Sequence, residues 1–134
     1  MIYLDSCAIV KLIAPETETP ALVGWLDDHP GERVTSALSE IEVPRALRRA
    51  APRRLGIMSG VLSRMARFEV DAPVRATAAA YMDSTLRSLD AIHLATAENL
   101  TASGMRISAF VTYDKRLGTA AAESGLTVVA PGAV

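Results

Sequence analysis

Short apolar runs along the chain alternate with stretches of helical period. Residues 2–4 read as a strand and residues 6–14 as a helix halted by Pro15. A second helix is expected over 18–29, with Leu22, Val23 and Leu26 on one side. A strand over 33–36 leads into a helix over 38–50, and residues 53–65 place Leu55, Met58, Leu62 and Met65 at helix spacing. A short strand is expected over 68–70, then a helix over 73–86 with Pro73 in its first turn. Residues 88–104 form a strong helical pattern ending near Gly104. A strand over 109–113, a helix over 114–125 and a last strand over 126–130 complete the series. Strands alternating with helices predict right-handed crossovers and an α/β fold, with a mostly parallel central sheet covered by helices on both faces.

Length and composition narrow the class. At 134 residues, half of them hydrophobic, the chain is expected to form a single domain over residues 1–134 with a proper core. No apolar run approaches the roughly 18 residues of a membrane span, and no basic segment leads a long apolar stretch at the N-terminus. Cys7 is the only cysteine, so an intramolecular disulfide is excluded and a reducing, cytoplasmic setting is expected. The net charge of −1 argues against a surface that grips nucleic acid everywhere. It leaves room for a local basic patch: Arg45, Arg48, Arg49, Arg53 and Arg54 crowd into ten residues.

In sheets of this kind, sites form beyond the carboxyl ends of the strands, where strand order reverses. Asp5 directly follows the first strand, and Asp114 directly follows the strand Phe110–Tyr113. Asp90 lies in the first turn of its helix, with Ser88 as the expected N-cap, and Glu42 lies in the first half of the helix after residues 33–36. Each acid also has a plain structural role available. Asp5 and Asp114 are well placed as N-caps. Asp90 suits a helix N-terminus through the macrodipole. Ser39 and Glu42 match a capping box, although Pro44 just beyond kinks the helix. Several carboxylates in one crevice repel unless protonated or bound to a cation, and an all-oxygen set suits a hard divalent ion, Mg²⁺ or Mn²⁺. Neither His29 nor His93 has zinc-like spacing; His93 reads as a satisfied histidine on an otherwise apolar helix.

The motif LDSCAIVKL resembles the opening of PIN-domain ribonucleases: an apolar strand, Asp, then Ser or Thr. SALSEIEVPRAL, SLDAIHLATA and FVTYDKRLGTAAAESGLTVVAPG follow in the family's order and spacing, and the resemblance spans essentially the whole chain. It is nearest to the toxin half of VapBC toxin–antitoxin pairs. The resemblance implies a PIN-like three-layer sandwich, with Asp5, Glu42, Asp90 and Asp114 as catalytic and metal-holding acids around Mg²⁺ or Mn²⁺. Glu42 rather than Glu40 falls at the family position, six residues after Ser36. Ser6 and Thr112 match positions that support the acids by hydrogen bonds. Cys7 stands where a small or apolar residue is common and is expected to pack without redox function.

The resemblance also implies an endoribonuclease acting on structured RNA, tRNA or ribosomal RNA, and leaving 5′-phosphate and 3′-hydroxyl ends. A metal held by the acids lowers the pKa of water near the phosphodiester. Because acids repel phosphates, Arg45, Arg48 and Arg49 at helix spacing, with Arg116 after Asp114, are candidate RNA contacts; a solvated helix face is the alternative for each. Implied partners are a VapB-type antitoxin, with its tail in a groove beside the acids, and a second copy in a homodimer. The apolar sides of residues 18–29 and 56–65 are candidate docking surfaces, with ordinary core packing as the alternative. Two other classes share part of this pattern. A receiver-type phosphoacceptor module shares the length and the strand-end acids, but it carries two adjacent acids after its first strand, where this chain has Asp5 followed by Ser6. A PIN-like domain that only binds RNA has no need of the four acids.

Overall fold

The computed structural model describes residues 1–134. Its strands are β1 (Ile2–Leu4), β2 (Arg33–Ser36), β3 (Ala66–Phe68), β4 (Ala109–Val111) and β5 (Val128–Val129). Its helices are α1 (Ser6–Ile13), α2 (Thr19–Asp28), α3 (Ser39–Ala50), α4 (Leu55–Leu62), α5 (Ala72–Ala80), α6 (Ser88–Ala102) and α7 (Lys115–Glu123), with a 3-10 turn at Pro52–Arg54. The five strands are parallel throughout, in the order β3-β2-β1-β4-β5. Strand order reverses between β1 and β4, so the crevice that such a reversal opens lies beyond Leu4 and Val111.

The period of two along β1 divides the core. Ile2 and Leu4 face one side and join Ile9, Ile13, Leu22, Leu26, Val43, Leu47 and Leu62 from α1–α4. Tyr3 faces the other side and joins Val34, Phe110 and the apolar faces of α6 and α7. The result is the three-layer α/β sandwich. Tyr3 is fully buried and stacks on Phe110 at a 5.0 Å centroid separation. Gly104 and Gly125, both at positive φ, close α6 and α7.

Several elements depart from the sequence expectations. The third strand is Ala66–Phe68 and not 68–70, because β2 offers partners only from Val34 to Ser36, which pair with Ala66 to Phe68. α5 stops at Ala80 rather than 86. Tyr81 turns to extended backbone and donates its hydroxyl to Glu98 on α6, and Asp83 accepts from both the amide and the hydroxyl of Thr85, which ties the chain into a turn. Arg87, not Ser88, occupies the N-cap position of α6, and no side chain caps that helix. The final strand is shortened to Val128–Val129.

The expected docking faces are only partly taken up by the core, since Val23 and Ile57 remain exposed. Leu26, Leu62 and Met65 are buried, and Trp25 packs against the same cluster while stacking on His29. No helix is long and apolar enough to cross a membrane.

Candidate active site

β1 and β4 end side by side, and each delivers an acid to the first turn of the next helix. Asp5 caps α1, accepting from the Ala8 amide at 2.9 Å. Its other carboxylate oxygen accepts from the Thr112 hydroxyl at 2.6 Å. Asp114 caps α7 through the Leu117 amide at 2.9 Å, and its own amide donates to the Thr112 hydroxyl oxygen at 3.1 Å. Thr112 thus links the acids of the two strand ends. Each carboxylate caps with one oxygen, and the other meets Thr112 in Asp5 and Arg87 in Asp114.

Glu42 reaches the crevice from α3. The capping box with Ser39 does not form: Leu38 is the N-cap residue, and Ser39 is buried and bonded to Thr35 and Ser6. The Glu42 carboxylate instead accepts from Ser6 at 2.6 Å and lies 2.8 Å from Nε2 of His93. A carboxylate can only accept, so Nε2 carries the proton, and in the neutral imidazole Nδ1 accepts from the Tyr3 hydroxyl, 2.7 Å away. His93 is therefore a satisfied core histidine that also orients Glu42. That second role, joining residues 51 positions apart, had no signal in the helical pattern.

Asp90 projects from the first turn of α6. Arg87 binds it and Asp114 together, with Nε 3.3 Å from Asp90 and Nη2 3.2 Å from Asp114. Sequence reasoning missed Arg87; its place three residues before Asp90 was the available hint.

The electrostatics show the crowding. Burial, with Asp90 adding to it, raises the Asp5 carboxyl pKa against the opposing pull of His93, Thr112 and the Ala8 amide. Burial and the neighbouring Asp114 raise that of Asp90. Burial works to raise Glu42 as well, but the hydrogen bonds from His93 and Ser6 outweigh it and hold its carboxyl below the usual range. Cys7 is solvent-exposed at the crevice and not packed as expected. Its partial enclosure and the fields of Asp5, Glu42, Asp90 and Asp114 push its thiol up to about 12, so the unreactive protonated form prevails at neutral pH. No three of these side chains stand close enough to form a preformed metal cage. The set is nonetheless all-oxygen and short of positive charge, which fits a hard divalent ion.

Beside the acids runs a groove of about 590 Å³ between α1 and α3. Val10, Leu38 and Ile41 line its apolar side, and Arg45, Arg49 and Lys11 bring positive charge. Ile41 is 60% exposed and Leu89 49% exposed, both large apolar side chains on this groove. Arg48, grouped with Arg45 and Arg49 from helix spacing, is exposed and outside the groove lining. Arg116 is exposed in the first turn of α7, also outside it. Arg54 is structural, donating to the Ile13 carbonyl at 2.8 Å.

A family model described as the PIN domain matches residues 2–123. The chain is 53% identical over 133 residues to a protein named ribonuclease VapC35 from Mycobacterium tuberculosis strain H37Rv, spanning 98% of both. It is 43% identical over 133 residues to one named ribonuclease VapC46 from the same strain, spanning 97% of both. Among solved structures, Mycobacterium tuberculosis VapC20, described as a sarcin-ricin loop cleaving toxin, superposes with a TM-score of 0.74 over 98% of this chain and 100% of that one. At 17% identity, that likeness bears on the fold. A toxin–antitoxin complex from Klebsiella pneumoniae matches with a TM-score of 0.72 at 16% identity, over 98% of each chain.

Proposed function

The chain belongs to the PIN-domain family, and from that premise we propose that it is an endoribonuclease, the toxin of a toxin–antitoxin pair, working through Asp5, Glu42, Asp90 and Asp114. The observation that carries the reading is the linkage of acids at the reversal of strand order: Thr112 bridges Asp5 and Asp114, Arg87 bridges Asp90 and Asp114, and burial raises the carboxyls of Asp5 and Asp90, with Asp90 adding to the first and Asp114 to the second. Binding RNA needs no such cluster, since acids repel phosphate; hydrolysis with a divalent ion does. A receiver module is disfavoured by the membership and by the single acid after β1.

Ribonucleases of this family are generally metal-dependent, and we assign Mg²⁺ or Mn²⁺ because the donors are carboxylate oxygens. When bound, such an ion acidifies water and offsets the charge that builds on the phosphate under attack. The chain's own groups do the rest. Asp5 is held rigid by Thr112 and the Ala8 amide, so it presents its charge without reorganising. Ser6 and His93 orient Glu42 and keep it ionised. Arg45 and Arg49 draw RNA phosphates towards an otherwise repulsive centre. The groove with Ile41 and Leu89 is our site for the tail of a VapB-type antitoxin, and a homodimer is part of the same proposal.

The test incubates purified protein with total RNA in Mg²⁺ or EDTA and maps the new ends. Defined cuts that need the ion, bear 5′-phosphates and vanish in a folded Asp90→Asn variant are expected. Cleavage that persists in EDTA or in that variant overturns the proposal, and the mapped ends name the RNA, tRNA or ribosomal.

A further inference from the structure

Asp90 and Asp114 share one cation. Arg87 is the only basic residue in an ion pair with either Asp90 or Asp114, and it reaches both. Lys11 is engaged with Glu16 and Glu18 and lies over the Tyr113 ring. Arg45, Arg49 and Arg116 form no ion pair with the acids.

The geometry of Arg87 is that of a removable partner. Its contacts, at 3.3 and 3.2 Å, are longer than the ~2.7–2.9 Å of tight charge-assisted hydrogen bonds. Its side chain is 68% exposed, while those of Asp90 and Asp114 are 19% and 22% exposed. It hydrogen-bonds to nothing else through its side chain and sits at the extended N-cap position of α6, after the non-helical stretch 81–87. The guanidinium can therefore swing into solvent without breaking any structural bond.

We propose that Arg87 is a tethered countercation, a positioning residue that holds Asp90 and Asp114 against their mutual repulsion and yields to the divalent ion, thereby setting the concentration at which the ion enters. The inference rests on the reading of these acids as a metal site. A divalent ion brings two charges where the guanidinium brings one. The exchange is favourable but opposed by the lost ion pairs and by a nearby positive charge. The freed guanidinium remains tethered beside the crevice.

The test is a titration of Mn²⁺ into the purified protein without RNA, with free ion followed by electron paramagnetic resonance. It uses the wild type, Arg87→Ala, Arg87→Lys and Asp90→Asn, each checked for fold by circular dichroism. Arg87→Ala should bind Mn²⁺ roughly three- to tenfold more tightly, and Arg87→Lys should fall between it and the wild type. The gap should narrow as salt rises. A merely structural arginine predicts the opposite sign, because removing it lets the acids spread. Equal or weaker binding by folded Arg87→Ala overturns the proposal alone, while the metal-site reading stands. A wild type that binds no Mn²⁺, or binds it as well as Asp90→Asn does, overturns the metal-site reading and this inference with it.

Discussion

Tyr3→Phe removes one hydroxyl from the centre of the molecule and nothing else. The Tyr3 ring is fully buried and stacks on Phe110 with planes only 3° apart, so Phe keeps the ring packing and vacates only the space of one oxygen atom. What is lost is the 2.7 Å hydrogen bond to Nδ1 of His93. His93 is 2% exposed, so water cannot replace the donor. The net value of a hydrogen bond, together with the penalty of a buried acceptor left unpaired, puts the cost at about 1–3 kcal/mol. For a domain of this size that corresponds to a Tm lower by roughly 3–12 °C. Cleavage should suffer less, by under about tenfold, because Glu42 keeps its bonds to Ser6 and to the Nε2–H of His93. Thermal and urea denaturation, with RNA cleavage on the same samples, read both quantities. A Tm within about 1 °C of the wild type would refute the claim that Nδ1 depends on Tyr3. An activity loss as large as that of Asp90→Asn would refute the separation of the Tyr3–His93 anchor from the reacting centre.

Asp90→Asn should abolish cleavage yet raise Tm in metal-free buffer, since it removes a carboxylate whose charge is disfavoured by burial and by Asp114; calorimetry with and without Mn²⁺ should also show that the ion no longer stabilises the variant. The folded pKa values of Asp5 and Asp90 are raised, so their contribution to stability is complete below the ordinary carboxylate range and is lost as pH rises through the raised values. Glu42 is lowered, so its contribution is present above the ordinary range and is lost as pH falls through its folded value. Denaturation across pH in chelator should therefore show a decline on the alkaline side of the carboxylate range that Asp90→Asn flattens. Paired substitution of Arg45 and Arg49 by Ala should lower the salt slope of RNA binding by about 1.4–1.8, from ~0.7–0.9 for each lost phosphate contact, while Arg48→Ala leaves it unchanged; filter binding over a salt series decides. Cys7→Ser should retain activity, and the wild-type thiol should alkylate slowly at pH 8 despite its exposure.

The reach of sequence reasoning differs from element to element. α1 and β2 were legible almost to the residue, because Asp5 caps one and the β-branched pair Val34 and Thr35 marks the other. β3 was displaced by two residues because a three-residue strand is defined by its partner, here Val34–Ser36, more than by its own composition. α5 was overextended because alanines favour helix, whereas Tyr81 and Asp83 found partners that end it. Arg49 lies one helical repeat beyond Arg45 on the face of α3 that carries Ile41 and Glu42, and only the tertiary structure shows that this face lines the groove while Arg48 stays outside.

The sequence alone determined the alternation of strands and helices, the placing of an acid after β1 and β4, and the family. Those features are local, carried by side-chain period and by residues a few positions apart. Tertiary structure decided which acids share charge and which groups hold them. Arg87 joins Asp90 to Asp114, Thr112 links Asp5 to the Asp114 amide, and the Tyr3–His93–Glu42–Ser6 chain joins β1, α6, α3 and α1. These pairings cross up to 107 positions of chain, and they exist because β1 lies between β2 and β4 in the sheet. That order depends on burying both faces of the sheet at once, a property of the whole core that no single segment encodes.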